Sequence, residues 1–77
     1  MEIKDFIMNF ANQFDDTEAS EFAADTNFRE LEEWSSMIGL SLLNMAEKNY
    51  GVQLTFDELR GANTVQDLFD VISKKQG

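Results

Sequence analysis

The 77-residue chain contains no cysteine, no histidine and no proline, and only six lysines and arginines. Without cysteine it has no disulfide framework and no thiolate nucleophile. Without histidine it lacks the most common general base and metal ligand. The Ser-His-Asp and Cys-His arrangements of nucleophilic enzymes therefore cannot be built from this chain. These absences predict a protein that is not an enzyme and that holds no metal.

The charge of the chain is strongly one-sided. Fifteen aspartates and glutamates outweigh the basic residues and give a net charge of −9 at pH 7. Because this charge repels nucleic-acid phosphates and anionic lipid surfaces, we expect basic partners, no nucleic acid and no membrane. No apolar run approaches the roughly 20 residues of a membrane span, and MEIKDF lacks the basic start of a secretory signal. We expect a monomeric, cytoplasmic protein.

Apolar spacing predicts one all-α domain over residues 1–77. The 43% hydrophobic content, with seven phenylalanines, is enough for one small core. Helix one is predicted to end near Asp15, because its apolar residues follow helical spacing. They are Ile3, Phe6, Ile7, Phe10, Ala11 and Phe14. Residues 15–35 are predicted to form an ordered loop, with room for one helical turn, that Phe22 and Phe28 pin to the core.

Three further helices are predicted from their capping residues. Ser35 is a favourable N-cap for a second helix that runs to about Asn49, where Tyr50 and Gly51 stop it. Its predicted core stripe consists of Gly39, Leu42, Leu43, Ala46 and Tyr50. Two capping boxes then start a short third helix, through about Gly61, and a last helix. The boxes are Thr55 with Glu58 and Thr64 with Asp67.

The acidic stretch DDTEASEFAADTNFRE, residues 15–30, raises the question of calcium binding. A calcium loop of the EF-hand type needs oxygen ligands at alternate positions, glycine at the sixth and glutamate at the twelfth. No register that starts at Asp15 or Asp16 supplies the glycine. The preferred interpretation is a solvated acidic loop.

The serine pair at the start of the second helix indicates different chemistry. A serine in the first turn of a helix is exposed to solvent. The unpaired N–H groups and the positive end of the helix dipole favour a phosphate or phosphodiester beside it. A serine in this position therefore suits covalent attachment of a phosphate group, although the alternative is that Ser35 and Ser36 both only cap the helix.

At this serine the sequence resembles the acyl carrier proteins, in which an Asp-Ser-Leu motif opens the second helix and its serine bears 4′-phosphopantetheine. The motif here is Ser35-Ser36-Met37. The similarity continues upstream in DTNFREL, where Phe28 matches a core phenylalanine, and downstream in AEKNYGVQL, TFDELRGA and NTVQDLFDVI. The resemblance implies a four-helix acyl-carrier-like bundle, with a long first loop and a short third helix. It also implies that the prosthetic group is attached to Ser36.

The same resemblance implies how such a protein works. A phosphopantetheinyl transferase would join the arm to Ser36, and the arm would then carry acyl groups as thioesters. Partners with basic docking surfaces would be an acyl–acyl carrier protein (acyl-ACP) synthase, a ketosynthase or a ligase. The residues expected to contact them are Glu32, Glu33, Met37, Leu40 and Glu47. For Met37 and Leu40 the alternative is packing against the loop around Trp34.

One departure from the family pattern affects the expected role of the protein. Ser35 stands where the family has aspartate, while Glu30, Glu32 and Glu33 crowd just before the motif. We therefore expect a specialised carrier in a fatty-acid or polyketide type of pathway. Two alternatives stay open: a peptidyl or aryl carrier loaded by an adenylating ligase, and an acidic helical interaction module that is never modified.

Overall fold

Residues 2–77 of the computed structural model are described here, and they form four α-helices. The helices are α1 (Ile3–Ala11), α2 (Ser36–Tyr50), α3 (Phe56–Gly61) and α4 (Val65–Gln76). Two short 3₁₀ turns, Ala19–Glu21 and Phe28–Glu30, lie in the first loop. Within residues 2–77 there is no β-strand, only a single antiparallel bridge between Asn27 and Thr64. The predicted all-α fold with a long first loop and a short third helix is confirmed.

The predicted capping residues begin and end the helices. The Ser35 hydroxyl accepts a hydrogen bond from the Ile38 N–H at 3.3 Å. Both predicted capping boxes are formed at the starts of α3 and α4. Gly51 ends α2 with φ of 66°, a left-handed conformation that glycine adopts without the steric cost of a Cβ. Local sequence therefore set these boundaries.

The first helix is shorter than predicted. It ends at Ala11, because the N–H groups of Gln13 and Phe14 bond to carbonyls three residues back rather than four. This tighter turn is typical of helix ends. Phe14 is nevertheless buried, since its ring packs against Phe22 with the ring centroids 4.9 Å apart. The periodicity identified a core residue but placed it wrongly inside the helix.

The predicted core stripe of α2 is correct for three residues of five. Gly39, Leu42 and Ala46 are buried, whereas Leu43 and Tyr50 are half-buried against the core. The stripe omitted two buried residues, Ile38 and Met45. The physical reason is that α2 contacts α1, α3 and α4, so a wider arc of its surface is covered than a single stripe predicts.

The first loop is held to the rest of the bundle through backbone hydrogen bonds. The Phe28 N–H donates to the Asn63 carbonyl, and the N–H groups of Val65 and Gln66 donate to carbonyls of the loop. Phe22 and Phe28 are both buried, as predicted. The loop thus reaches the serine pair from a fixed position. Across residues 2–77, no helix is long and apolar enough to cross a membrane.

Candidate functional site

The two serines at the start of α2 have different environments. Ser35 precedes the helix with extended backbone, φ −158° and ψ 170°, and its hydroxyl is occupied by the cap to Ile38. Ser36 is the first residue of the helix, and it is exposed. The predicted N-cap role of Ser35 is therefore confirmed. The Ser36 side chain is in contact with solvent, as an attachment residue requires.

The backbone around Ser36 suits a phosphate group. The N–H groups of Ser36 and Met37 have no acceptor within the helix, and the first turn of α2 contains no acidic residue. The helix dipole adds positive potential at the same end. Because α2 is 15 residues long, its N-terminus is held by the packing of the whole helix. The residues present at this end therefore fit a phosphodiester on Ser36.

A carboxylate clamp fixes the chain just before the serine pair. The Glu33 carboxylate accepts hydrogen bonds from the N–H groups of Asp15 and Asp16 at 2.6 and 2.9 Å. It also accepts one from the Thr17 hydroxyl at 2.8 Å. These residues begin the first loop, 16 to 18 positions earlier in the chain. We call this arrangement the Glu33 clamp. It joins the beginning of the first loop to its end, just before the serine pair.

The Glu33 clamp also shifts the pKa of Glu33. Partial desolvation on its own would raise the pKa, but the hydrogen bonds from Thr17, Asp15 and Asp16 outweigh it and hold the pKa below its usual value. The charged form is therefore the one that the loop stabilises. Because the Glu33 carboxylate already accepts hydrogen bonds within the protein, it is less available for contact with a partner than the sequence predicted.

Trp34 and Gly39 bring the loop, α2 and α3 together. The Trp34 ring lies against Phe28, with the ring centroids 5.0 Å apart. A Cβ built on Gly39 would lie 3.1 Å from Leu59 Cδ2 and 3.7 Å from Trp34 Cη2. The absence of a side chain at Gly39 thus allows α3 and Trp34 to approach the first turns of α2 closely.

The other predicted docking residues lie at three different places. Met37 and Leu40 are 80% and 51% exposed, close to Ser36 in the first turns of α2. The alternative that they pack against the loop does not hold for Met37, because most of its side chain is in solvent. Glu32 is exposed within the loop. Glu47 is exposed, but 11 residues along the helix it lies about 16 Å from Ser36.

Two residues near the site were missed by the sequence analysis. Arg29 donates from Nε to the Ala62 carbonyl and from its guanidinium to the Leu59 carbonyl, both at 2.9 Å. It therefore fixes the C-terminal end of α3 to the loop. Phe56, at the start of α3, is 44% exposed. The only sequence signal for Phe56 was its position, directly after the cap residue Thr55. No local pattern indicated the role of Arg29.

The chemistry available at the site is limited to a nucleophile and a phosphate-binding backbone. Within residues 2–77, no cluster of three acidic side chains is arranged to hold a metal ion. The chain has no histidine to take a proton from Ser36. The site can therefore receive a group from another protein, but it supplies no general base of the usual kind.

Comparisons with known proteins agree with this geometry. A family model described as "Phosphopantetheine attachment site" matches residues 5–72. The match covers α2, α3, the first loop and the serine pair, together with most of α1 and α4. A comparison with curated proteins found no match.

Proposed function

Because the chain belongs to the phosphopantetheine attachment family, we propose that it is an acyl carrier protein whose arm is attached to Ser36. Members of this family are carrier domains rather than enzymes, and 4′-phosphopantetheine is bound to them covalently. They interact with phosphopantetheinyl transferases and with synthases. The observation that carries the assignment to Ser36 is its exposed position at the start of α2, beside a serine that is engaged as a cap.

The residues of this site have separate roles in the proposed modification. The Ser36 Oγ would form a bond to the pantetheine-side phosphorus of coenzyme A, while the pyrophosphate bond breaks and 3′,5′-adenosine diphosphate leaves. The free N–H groups of the first turn would stabilise the negative charge of the phosphodiester. Ser35 keeps the helix start fixed through its bond to Ile38. The proton of Ser36 must leave to a base of the transferase, because the chain has no histidine. Once attached, the arm supplies a thiol that holds an acyl group as a thioester.

A flexible arm explains why a protein without catalytic residues is useful. An acyl group tethered to a docked carrier has a high effective concentration at the partner's active site, so successive enzymes act without releasing it. Glu32, Glu33, Met37, Leu40 and Glu47 remain the proposed docking residues. The proposed partners are the transferase and a synthase, ketosynthase or ligase with a basic surface, since opposite charge speeds association.

The finer aspects of the function are proposals drawn from the sequence. We propose that residues 1–77 form a single carrier domain, that it is a monomer, and that it acts in the cytoplasm. A core that runs from Phe6 in α1 to Ile72 in α4 supports the single domain. A specialised fatty-acid or polyketide type of pathway is the preferred setting. A peptidyl or aryl carrier, loaded by an adenylating ligase, is the alternative.

The attachment is tested by weighing the intact protein. The chain is incubated with coenzyme A and a broad-specificity phosphopantetheinyl transferase, and the mass should rise by one phosphopantetheine. Ser36→Ala should abolish the gain, and the matched variant Ser35→Ala should retain it. A gain that survives Ser36→Ala would move the attachment elsewhere. No gain with any transferase tried would favour the unmodified interaction module.

A further inference from the structure

The short helix α3 is held to the rest of the bundle by a basic side chain at each of its ends. At its C-terminal end Arg29, from the first loop, donates to two carbonyl oxygens, both at 2.9 Å. Near its start the Lys75 Nζ, from α4, lies 2.7 Å from the Glu58 carboxylate. The same Nζ donates to the Gln53 carbonyl at 2.8 Å. We call Arg29 and Lys75 the two anchors of α3.

The contact between α2 and α3 is tight. A Cβ built on Gly39 would lie 3.1 Å from Leu59 Cδ2, a shorter distance than Cβ atoms usually keep. Leu59 and Leu42 are both buried. Because the interior is close-packed, an alkyl chain enters between the two helices only if α3 moves away from α2. The two anchors of α3 oppose that movement.

One space beside α2 is open without any movement of α3. It is a groove at the surface that includes Leu40, one turn after Ser36, and Leu43 and Leu54 add apolar lining. Exposed polar residues line it as well, among them Asn44. A group that lies in this groove therefore stays in contact with water.

We propose that the two anchors of α3 keep the acyl group out of the helical core, so that this carrier takes acyl groups with little apolar surface, which are short or polar. The inference rests on the proposed function. The free energy cost of keeping an alkyl chain in water rises with its apolar area, so a long chain gains most from entering a core. That gain is not available while α3 is held against α2. A short or polar acyl group has little to gain from the core.

Hydrogen exchange of the unmodified protein tests the anchors alone. The amides of Leu59 and Ala62 should exchange about tenfold faster in Arg29→Met, because α3 opens more often without that anchor. Arg60→Met is the matched control, since the Arg60 side chain is exposed on the same helix. Its exchange rates should equal those of wild type. Unchanged rates in Arg29→Met would overturn the proposal, whether or not the chain is modified.

Two loaded forms test where the acyl group lies. A broad-specificity transferase loads isotope-labelled protein from acetyl-coenzyme A or from octanoyl-coenzyme A, and the intact mass identifies each product. In wild type the amide shifts of Leu42, Leu59 and Leu68 should be the same in both forms. The melting temperatures should also agree, because a chain that is not buried adds no stability to the folded state. Octanoyl-specific shifts at these residues, or a higher melting temperature of the octanoyl form, would overturn the proposal.

Variants without an anchor should behave differently from wild type. In Arg29→Met and Lys75→Met, and most in the double variant, the octanoyl form should melt at a higher temperature than the acetyl form and should shift amides of α2 and α3. Lys74→Met is the matched control on α4, because Lys74 is the exposed neighbour of Lys75. Melting of the acetyl forms shows which variants are folded. The lack of any octanoyl effect in the folded variants without an anchor would contradict the proposal.

The intact mass separates this proposal from the proposed function. If wild type gains no mass, the proposed function fails, and the part of this proposal that concerns acyl groups fails with it. Hydrogen exchange then still decides whether Arg29 anchors α3. If the mass rises and the octanoyl chain shifts the core amides of wild type, the attachment stands and the anchor proposal fails.

Discussion

The first loop, residues 12–35, and the exposed face of α2 meet at the serine pair, but they use their side chains differently. In the loop, Phe22 and Phe28 are buried, Arg29 bonds to carbonyls around α3, and the Glu33 carboxylate bonds to the start of the same loop. On α2, Ser36 and Met37 are directed to solvent. The comparison teaches that several side chains of the acidic, irregular segment hold the fold together, whereas the start of the regular helix leaves its side chains exposed to solvent.

Among the tests of this comparison, replacing a loop phenylalanine should have the largest effect on stability. Phe28→Ala should lower the free energy of unfolding by about 3–5 kcal/mol, because the ring is fully buried between Phe10 and Trp34. Leu40→Ala on α2 should change it by about 0.5 kcal/mol or less. Urea unfolding at neutral pH, followed by circular dichroism, measures both. Equal losses of unfolding free energy would show that the loop and the exposed face of α2 contribute alike to stability.

Arg29 should give the next largest effect. Arg29→Met removes two hydrogen bonds from a charged donor to the Leu59 and Ala62 carbonyls, and should cost about 1.5 kcal/mol. Arg60→Met is the matched control on α3, because Arg60 is exposed and pairs with Asp57 on the surface. The same urea titrations compare the two variants. A cost at Arg60 as large as that at Arg29 would contradict the structural role of the loop.

The same difference between a structural and an exposed side chain is found within the serine pair. Ser35→Ala should cost about 1 kcal/mol of stability, because it removes the cap on the Ile38 N–H. Ser36→Ala should change stability by about 0.5 kcal/mol or less, since its side chain is exposed. Thermal and urea unfolding of the unmodified proteins measure these costs. If Ser36→Ala were the more destabilising of the two, its hydroxyl would have a structural role.

The Glu33 clamp should give the smallest effect on stability, and that effect should depend on pH. Its folded pKa lies below the usual value, so its contribution to stability is present above the unfolded pKa of about 4.3 and is lost as pH falls through the folded pKa. Wild type should therefore be more stable than Glu33→Gln at neutral pH, and the difference should vanish in acid.

Trp34, the only tryptophan, reports on the Glu33 clamp because it follows Glu33 directly. Its fluorescence during urea unfolding is compared from neutral pH down to acid for wild type and Glu33→Gln. Glu32→Gln is the matched control, since Glu32 is the exposed neighbour. A difference between wild type and Glu33→Gln that grows as pH falls would contradict the clamp.

The sequence predicted the helices better than it predicted the loop. The capping serine and threonines act on N–H groups three residues away, so their effect is visible in a short window of sequence. The Glu33 clamp and the bonds of Arg29 join residues 16 to 33 positions apart. No local pattern marks such pairs. Phe14 shows an intermediate case, because its burial was predicted but its place outside α1 depended on packing against Phe22.

By itself, the sequence determined the all-α fold and most helix boundaries, which follow from hydrogen bonds and apolar spacing within a few turns of chain. It also indicated Ser36 as the attachment candidate, through its resemblance to the acyl carrier proteins. Only the tertiary structure decided that Glu33 is engaged in the loop, that Arg29 fixes the end of α3, and that Phe56 is partly exposed. The physical reason is that side-chain exposure depends on which distant segments pack nearby, and the helical pattern alone does not specify that.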